Sequence, residues 1–115
     1  MSKVVVGKRR WHSLVWPFLG YMADVAGYGD AKYDPGSWRD VDNARDEYFS
    51  AAQRHLTAWY NGEDLDDGPD GSGKPHLAHV AVNAMILWAL EHTKPKDETT
   101  VNIHIHQTKR ESEDA

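Results

Sequence analysis

Apolar residues recur in three stretches of helical period and one of strand period. Between Ser13 and Tyr28, Leu14, Phe18, Met22 and Val25 fall three and four apart. That spacing predicts a helix with Ser13 as its N-cap and Pro17 in its first turn. Gly20, Gly27 and Gly29 weaken it, so it is expected to be short or irregular. Asp30 to Trp38 reads as a connection around the turn Asp34-Pro35-Gly36-Ser37. The clearest element follows, from a cap at Asp40 or Asp42 to about Tyr60. Val41, Ala44, Tyr48, Ala51, Ala52, His55, Leu56 and Trp59 form one continuous face there, with Arg45, Asp46, Glu47 and Arg54 mostly off it.

The segment 61–75 is rich in Gly, Asp and Pro and reads as a solvated loop. Its carboxylates do not make an EF-hand: counting from Asp66, position three is Gly68 and position twelve is Leu77. A third helix is expected over about 75–92, with Leu77, Val80, Ala81, Ala84, Leu87 and Trp88 at helical spacing. It is apolar almost all round, which places it centrally or at a subunit interface. Beyond Lys94-Pro95-Lys96, residues 100–106 alternate strictly, with Val101, Ile103 and Ile105 on one face of an expected strand. Its partner would be residues 3–6 or another subunit. The expected fold is mainly α, one domain over 1–115. It comprises a small helical bundle over about 13–92, a short β element formed by the termini (strand about 99–107) and a charged tail over 109–115. A homodimer or higher homo-oligomer is expected from the apolar third helix and the unpartnered strand.

Composition narrows the chemistry. With 13 Lys+Arg against 18 Asp+Glu, the formal charge is −5. A nucleic-acid polymer partner is therefore not expected, since phosphate-backbone binders carry a basic face. A single triphosphate needs only local cations or a metal, so a nucleotide pocket stays open. Without cysteine, disulfides, thiolate zinc sites and cysteine nucleophiles are all excluded. No stretch reaches membrane-span length and no secretory signal is evident, so the expected compartment is the cytoplasm. Seven histidines and five tryptophans in 115 residues direct attention to those two types.

His76, His79 and Asn83 lie three, four and seven apart, on one stripe of the third helix together with Val80 and Leu87. His55 sits on the apolar face of the second. Helices joined by a glycine-rich loop are antiparallel neighbours, which brings the three imidazoles together. Glu63 and Asp64 fall at the same end. Imidazoles and carboxylates so placed hold a divalent metal or bond a nucleotide; the alternative is that each ring satisfies a carbonyl or carboxylate in the core. Lys32, between Tyr28 and Tyr33 and followed by Trp38, suits phosphate and base contacts, or else covers a small core. His104 and His106 read as exposed strand positions, and His12 and His92 as surface ones. No phosphate loop of Walker type, His-Glu-x-x-His or Gly-x-Ser-x-Gly occurs.

Tyr28-Gly-Asp-Ala-Lys-Tyr33, Trp38, Arg54-His-Leu-Thr-Ala-Trp59, Gly62-Glu-Asp64 and His76-Leu-Ala-His79 with Asn83 form an ordered set. In order and spacing it resembles the dATP/dGTP diphosphohydrolase domain family of bacteriophages, in the neighbourhood of MazG-like pyrophosphohydrolases. The resemblance runs over about 14–91. It implies a small helical phage protein in the host cytoplasm that acts on dATP or dGTP with Mg2+ or Mn2+, releasing pyrophosphate and the monophosphate. On this chain it implies metal contacts from His55, Glu63, Asp64, His76 and His79, with Glu63, Asp64 and His76 catalytic. Lys32, Tyr33, Trp38, Arg54, Trp59 and Asn83 would meet the nucleotide. Relatives carry adjacent acidic residues in the first helix; here those positions are Gly20-Tyr21, and the nearest carboxylate is Asp24. Few oxygen ligands on the helices leave a second reading open: a non-catalytic nucleotide-binding protein that sequesters a host defence signal.

Overall fold

The computed structural model describes residues 7–94. Three α-helices of equal length carry the fold: α1 (Trp16–Lys32), α2 (Ala44–Tyr60) and α3 (His76–His92). Short 3-10 turns at Trp11–Ser13 and Ser37–Asp40 precede α1 and α2. Among the described residues there is no strand beyond an isolated antiparallel bridge, Leu65 to Pro75. The described part is therefore all-helical; the β element expected from the termini is not supported, and 3–6 and 99–107 fall outside the described residues. No helix among them is long and apolar enough to cross a membrane.

α3 packs against both other helices, more extensively against α2. Arg45 meets Glu91 at one end of the α2–α3 pair and His55 meets His76 at the other, so the two run antiparallel. α1 also runs antiparallel to α3. Asp24 reaches Lys74 (3.3 Å), and the Tyr28 hydroxyl donates to the Asp70 carbonyl just before α3 begins. The core between α1 and α3 is Val25, Ala78 and Val82, with Phe18, Met22 and Ile86 packed on it. Ala78 is completely buried, and its small side chain lets the helices approach closely.

Three local expectations are corrected. α1 starts at Trp16 rather than Ser13, with Val15 at its N-cap, and Leu14 stays 44% exposed instead of facing inward. It then runs through Gly20, Gly27 and Gly29 to Lys32, so Asp30–Lys32 form its last turn and not a connection. Each helical glycine costs about 1 kcal/mol relative to alanine. The packing of Phe18, Met22 and Val25 on α3 offsets that weakness. α2 begins after Asn43, whose backbone is left-handed (φ 54°), and neither Asp40 nor Asp42 caps it. Asp46 and Glu47 supply the negative charge that suits its first turn.

The segment 61–75 is not merely solvated. α2 ends in a Schellman turn: the Gly62 N–H donates to the Trp59 carbonyl and the Glu63 N–H to that of Ala58. Gly62 takes the positive φ (+99°) this turn requires. The chain then folds back on itself as Asp66 N–H donates to Lys74 O (2.9 Å) and Gly73 N–H to Asp66 O (2.8 Å). His76 N–H closes the set on Asp64 O (2.9 Å). Gly71 lies so close that a Cβ there would overlap the Asp66 carbonyl. Gly71→Ala should therefore cost about 1–3 kcal/mol through local overpacking. A lowered midpoint in thermal or urea unfolding checks this; an unchanged one means the fold-back is loose.

Candidate metal centre

The fold-back and the antiparallel α2–α3 pair bring four polar side chains to one end of the bundle. His55 comes from the last two turns of α2, His76 and His79 from the first turn of α3, and Asp66 from the loop. The rings of His55 and His79 stack, centroids 4.2 Å apart and 9° from parallel. His55 Nδ1 meets His76 Nδ1 at 2.8 Å, with the rings tilted by 46°. His79 Nε2 lies 2.6 Å from Ser72 Oγ and 3.5 Å from Asp66 Oδ2. The same Asp66 oxygen accepts the Ser72 N–H at 3.3 Å, which ties the carboxylate to the loop. One ligand atom each from His55, Asp66 and His79 lie within 4.8 Å of one another.

Electrostatics favour neutral rings. Burial pushes the His55 pKa down from 6.5 to about 4, helped by His79 and His76 and opposed by Asp66. His79 is pushed down chiefly by burial, opposed by Asp66 and helped by His76. Neutral imidazoles carry the lone pair that a metal needs. Two imidazoles and a carboxylate, leaving further positions open, match the donor count of catalytic rather than structural sites. That donor chemistry fits a borderline ion such as Mn2+ or Zn2+ better than Mg2+, which prefers oxygen throughout.

The converging set differs from the expected one in its carboxylate and in leaving out His76. Glu63 turns to His76 instead, Oε2 to Nε2 at 3.3 Å, and Asp64 offers its backbone carbonyl to the His76 amide. His76 stands behind the triad, 5% exposed. Glu63 is close enough to interact with its Nε2 as a charge but off the angle of a hydrogen bond, so that shielded nitrogen has no hydrogen-bond partner. Asp66 and Ser72 are the residues that sequence reasoning missed. Asp66, Asp67 and Asp70 look alike in a loop. Only the Gly68, Gly71 and Gly73 spacing, which permits the fold-back, hints that Asp66 turns inward.

The other expected residues spread along the bundle. Asn83 is buried, one turn beyond His79 on α3. Trp59, 41% exposed, stands one turn beyond His55 on α2, and Arg54 donates to Ser50 Oγ at 2.9 Å. Lys32 and Tyr33 line an open cleft of about 470 Å3 with Ala31, Asp34 and Ser37. There the Lys32 ammonium lies over the rings of Tyr28 (5.8 Å) and Tyr33 (5.6 Å). Trp38 lines a second, more apolar cleft of about 210 Å3 with Met85, Ile86, Ala89 and Thr93. Ala89 is about 15 Å further along the α3 axis than His79, so this cleft and the imidazole cluster occupy different parts of the bundle. His12 and His92 are exposed; His104 and His106 fall outside the described residues.

With a depressed folded-state pKa, His55 binds its proton more readily in the unfolded chain. Its contribution to stability is complete above about pH 6.5, falls as pH drops toward about 4, and changes little below that. Urea midpoints of the metal-free protein should fall across this window, and His55→Gln should flatten the decline. A pH-independent midpoint would contradict the buried neutral ring.

Compared with known families, the chain matches over residues 2–100 the model described as dATP/dGTP diphosphohydrolase, N-terminal. No curated protein and no solved structure gives a significant match.

Proposed function

Since the chain belongs to the dATP/dGTP diphosphohydrolase N-terminal family, we propose that it is a phage nucleotide-handling enzyme, a divalent-metal-dependent pyrophosphohydrolase of dATP and dGTP. The observation that carries this reading is the convergence of His55, Asp66 and His79 to within 4.8 Å. These three residues would hold the metal. When bound, a divalent cation supplies positive charge against the polyphosphate and acidifies water. The reaction cleaves the α–β phosphoanhydride: water adds to the α-phosphorus and pyrophosphate leaves, with a deoxynucleoside monophosphate as the other product.

The protein's own groups orient and bind. Ser72 and the loop backbone hold Asp66 in place, and His76 holds His55. Trp59, one turn from His55 and partly exposed, offers a ring for the base. Lys32 offers a cation to phosphate from the cleft at the end of α1. A second reading is favoured by one specific observation: a single carboxylate enters the triad, fewer oxygen ligands than a hard cation prefers. In that reading the same residues bind a nucleotide, such as a host defence signal, without turnover.

Incubation with dATP or dGTP plus Mn2+ should release pyrophosphate. His79→Ala and Asp66→Asn should each lower the rate at least about 100-fold, beyond the roughly 10–100-fold that loss of a ligand's outer partner costs, while the helical circular dichroism signal is kept. Tight nucleotide binding without pyrophosphate would establish the second reading, and neither binding nor release would dismiss both.

We further propose that the protein works as a homodimer. Phe49, Met85 and Trp88 are 58%, 50% and 60% exposed, and in the Arg45–Glu91 contact Phe49 follows Arg45, and Trp88 precedes Glu91, by one helical turn. Among the described residues no large side chain is fully buried. A three-helix unit with so thin a core gains most by covering this apolar strip with a second copy. Light scattering should give twice the 13.0 kDa chain mass, and Trp88→Glu should halve it; a wild-type monomer would refute the dimer.

A further inference from the structure

His76 lies outside the His55–Asp66–His79 group, yet it is the more deeply buried polar residue behind it, and each ring nitrogen has one defined neighbour. Nδ1 faces His55 Nδ1 at 2.8 Å, and the solvent-shielded Nε2 has Glu63 Oε2 at 3.3 Å. A nitrogen–nitrogen contact of that length is a hydrogen bond only when one atom carries the proton and the other a lone pair.

Two neutral rings allow two arrangements. In the first, His76 is protonated at Nδ1 and donates to His55; its Nε2 lone pair then points at the Glu63 carboxylate, and His55 carries its own proton on Nε2. In the second, His76 is protonated at Nε2, facing the carboxylate, and its Nδ1 accepts from the Nδ1–H of His55. The first sets a lone pair against a negative charge in a shielded position; the second sets a donor there. The second also leaves the Nε2 of His55 bare. Because Nδ1 of His55 is engaged by His76, Nε2 is the nitrogen His55 has left to offer.

We propose that Glu63 and His76 are positioning residues that together fix the tautomer of His55, so that its Nε2 presents a lone pair to the site. The inference rests on the reading of His55, Asp66 and His79 as metal ligands. Carboxylates commonly orient a ligating histidine directly. Here a second imidazole is interposed, because Glu63 stands at the exposed end of α2 while His55 lies further inside. The chain of contacts Glu63–His76–His55 carries the orienting charge inward without burying a carboxylate, which would be costly.

Two-bond proton–nitrogen correlation NMR of the isotope-labelled full chain, metal-free at about pH 8 to keep the rings neutral, reads each tautomer directly. His55 should be protonated at Nδ1 and His76 at Nε2. Glu63→Ala removes an exposed side chain and should convert His55 to a tautomer mixture, with Mn2+ affinity by calorimetry falling about 10–100-fold. Glu63→Gln, which keeps the length of the side chain but not its charge, should lose the bias and the affinity as Glu63→Ala does. A wild-type His55 protonated at Nε2, or a Glu63→Ala protein with the wild-type tautomer, overturns the proposal. If the wild type binds no Mn2+, the metal reading fails, and the tautomers still decide the role of Glu63 and His76.

Discussion

His55 and His76 meet nitrogen to nitrogen at 2.8 Å, and much of the molecule is arranged so that they can. Two imidazoles at that distance cannot both present a proton, and two cations would repel strongly in a half-buried setting. The contact therefore requires that at least one of the two rings keep a free lone pair, as the lowered pKa of His55 favours. It also requires two helices held antiparallel with the end of one beside the start of the other. The Schellman turn at Gly62 and the amide contact from His76 to Asp64 O secure that alignment over only fifteen connecting residues. His79 stacks on His55, and burial lowers the pKa of both of these rings.

The loop acts as a fourth structural element. The three helices share a thin core, in which Ala78 and Val82 of α3 meet Val25 of α1. Asp66, by contrast, is held by backbone pairing on both sides, to Lys74 O and from Gly73 N, and through its carboxylate by the Ser72 amide. A carboxylate fixed in this way reaches the rings without the entropy loss that a free loop side chain would incur on ordering. The Tyr28 hydroxyl on Asp70 and the exposed Asp24–Lys74 pair attach α1 to the same loop. An exposed pair of that kind contributes at most about 1 kcal/mol, so its use is registration more than stability.

Much of this was legible from apolar spacing. The period of Ala44, Tyr48, Ala51 and His55 located α2, and the His76–His79 spacing put both rings on one stripe of α3 facing α2. The convergence of His55 with them followed from two helices joined by a loop. The start of α1 was misplaced because Ser13 looks like a cap, whereas Trp11–Ser13 already form a 3-10 turn. The end of α1 was misplaced because propensity argues against three glycines, and tertiary packing overrode it. The carboxylate beside His55 and His79 is Asp66, which sequence spacing does not single out. Glu63 and Asp64 are nearest the helix end in sequence, but which carboxylate turns inward is decided by the loop's backbone pairing and by the close approach at Gly71. Neither leaves a periodic trace. The terminal strand expected from residues 100–106 falls outside the described residues.

The donor set also bears on what the site would attract. α1 sends its Asp24 to Lys74 and not to the cluster. The candidate donor set is two imidazoles and one carboxylate. A divalent ion bound by that set would keep one unit of positive charge uncompensated, whereas two carboxylates would cancel it. In a partly dehydrated site that residual charge is felt strongly, and it is of the sign a polyphosphate seeks. The chain as a whole is acidic, formal charge −5, so long-range attraction cannot bring the anion in. A donor set of two imidazoles and one carboxylate is thus one physical route by which an acidic protein would present a locally cationic centre to an anion once a divalent ion is bound.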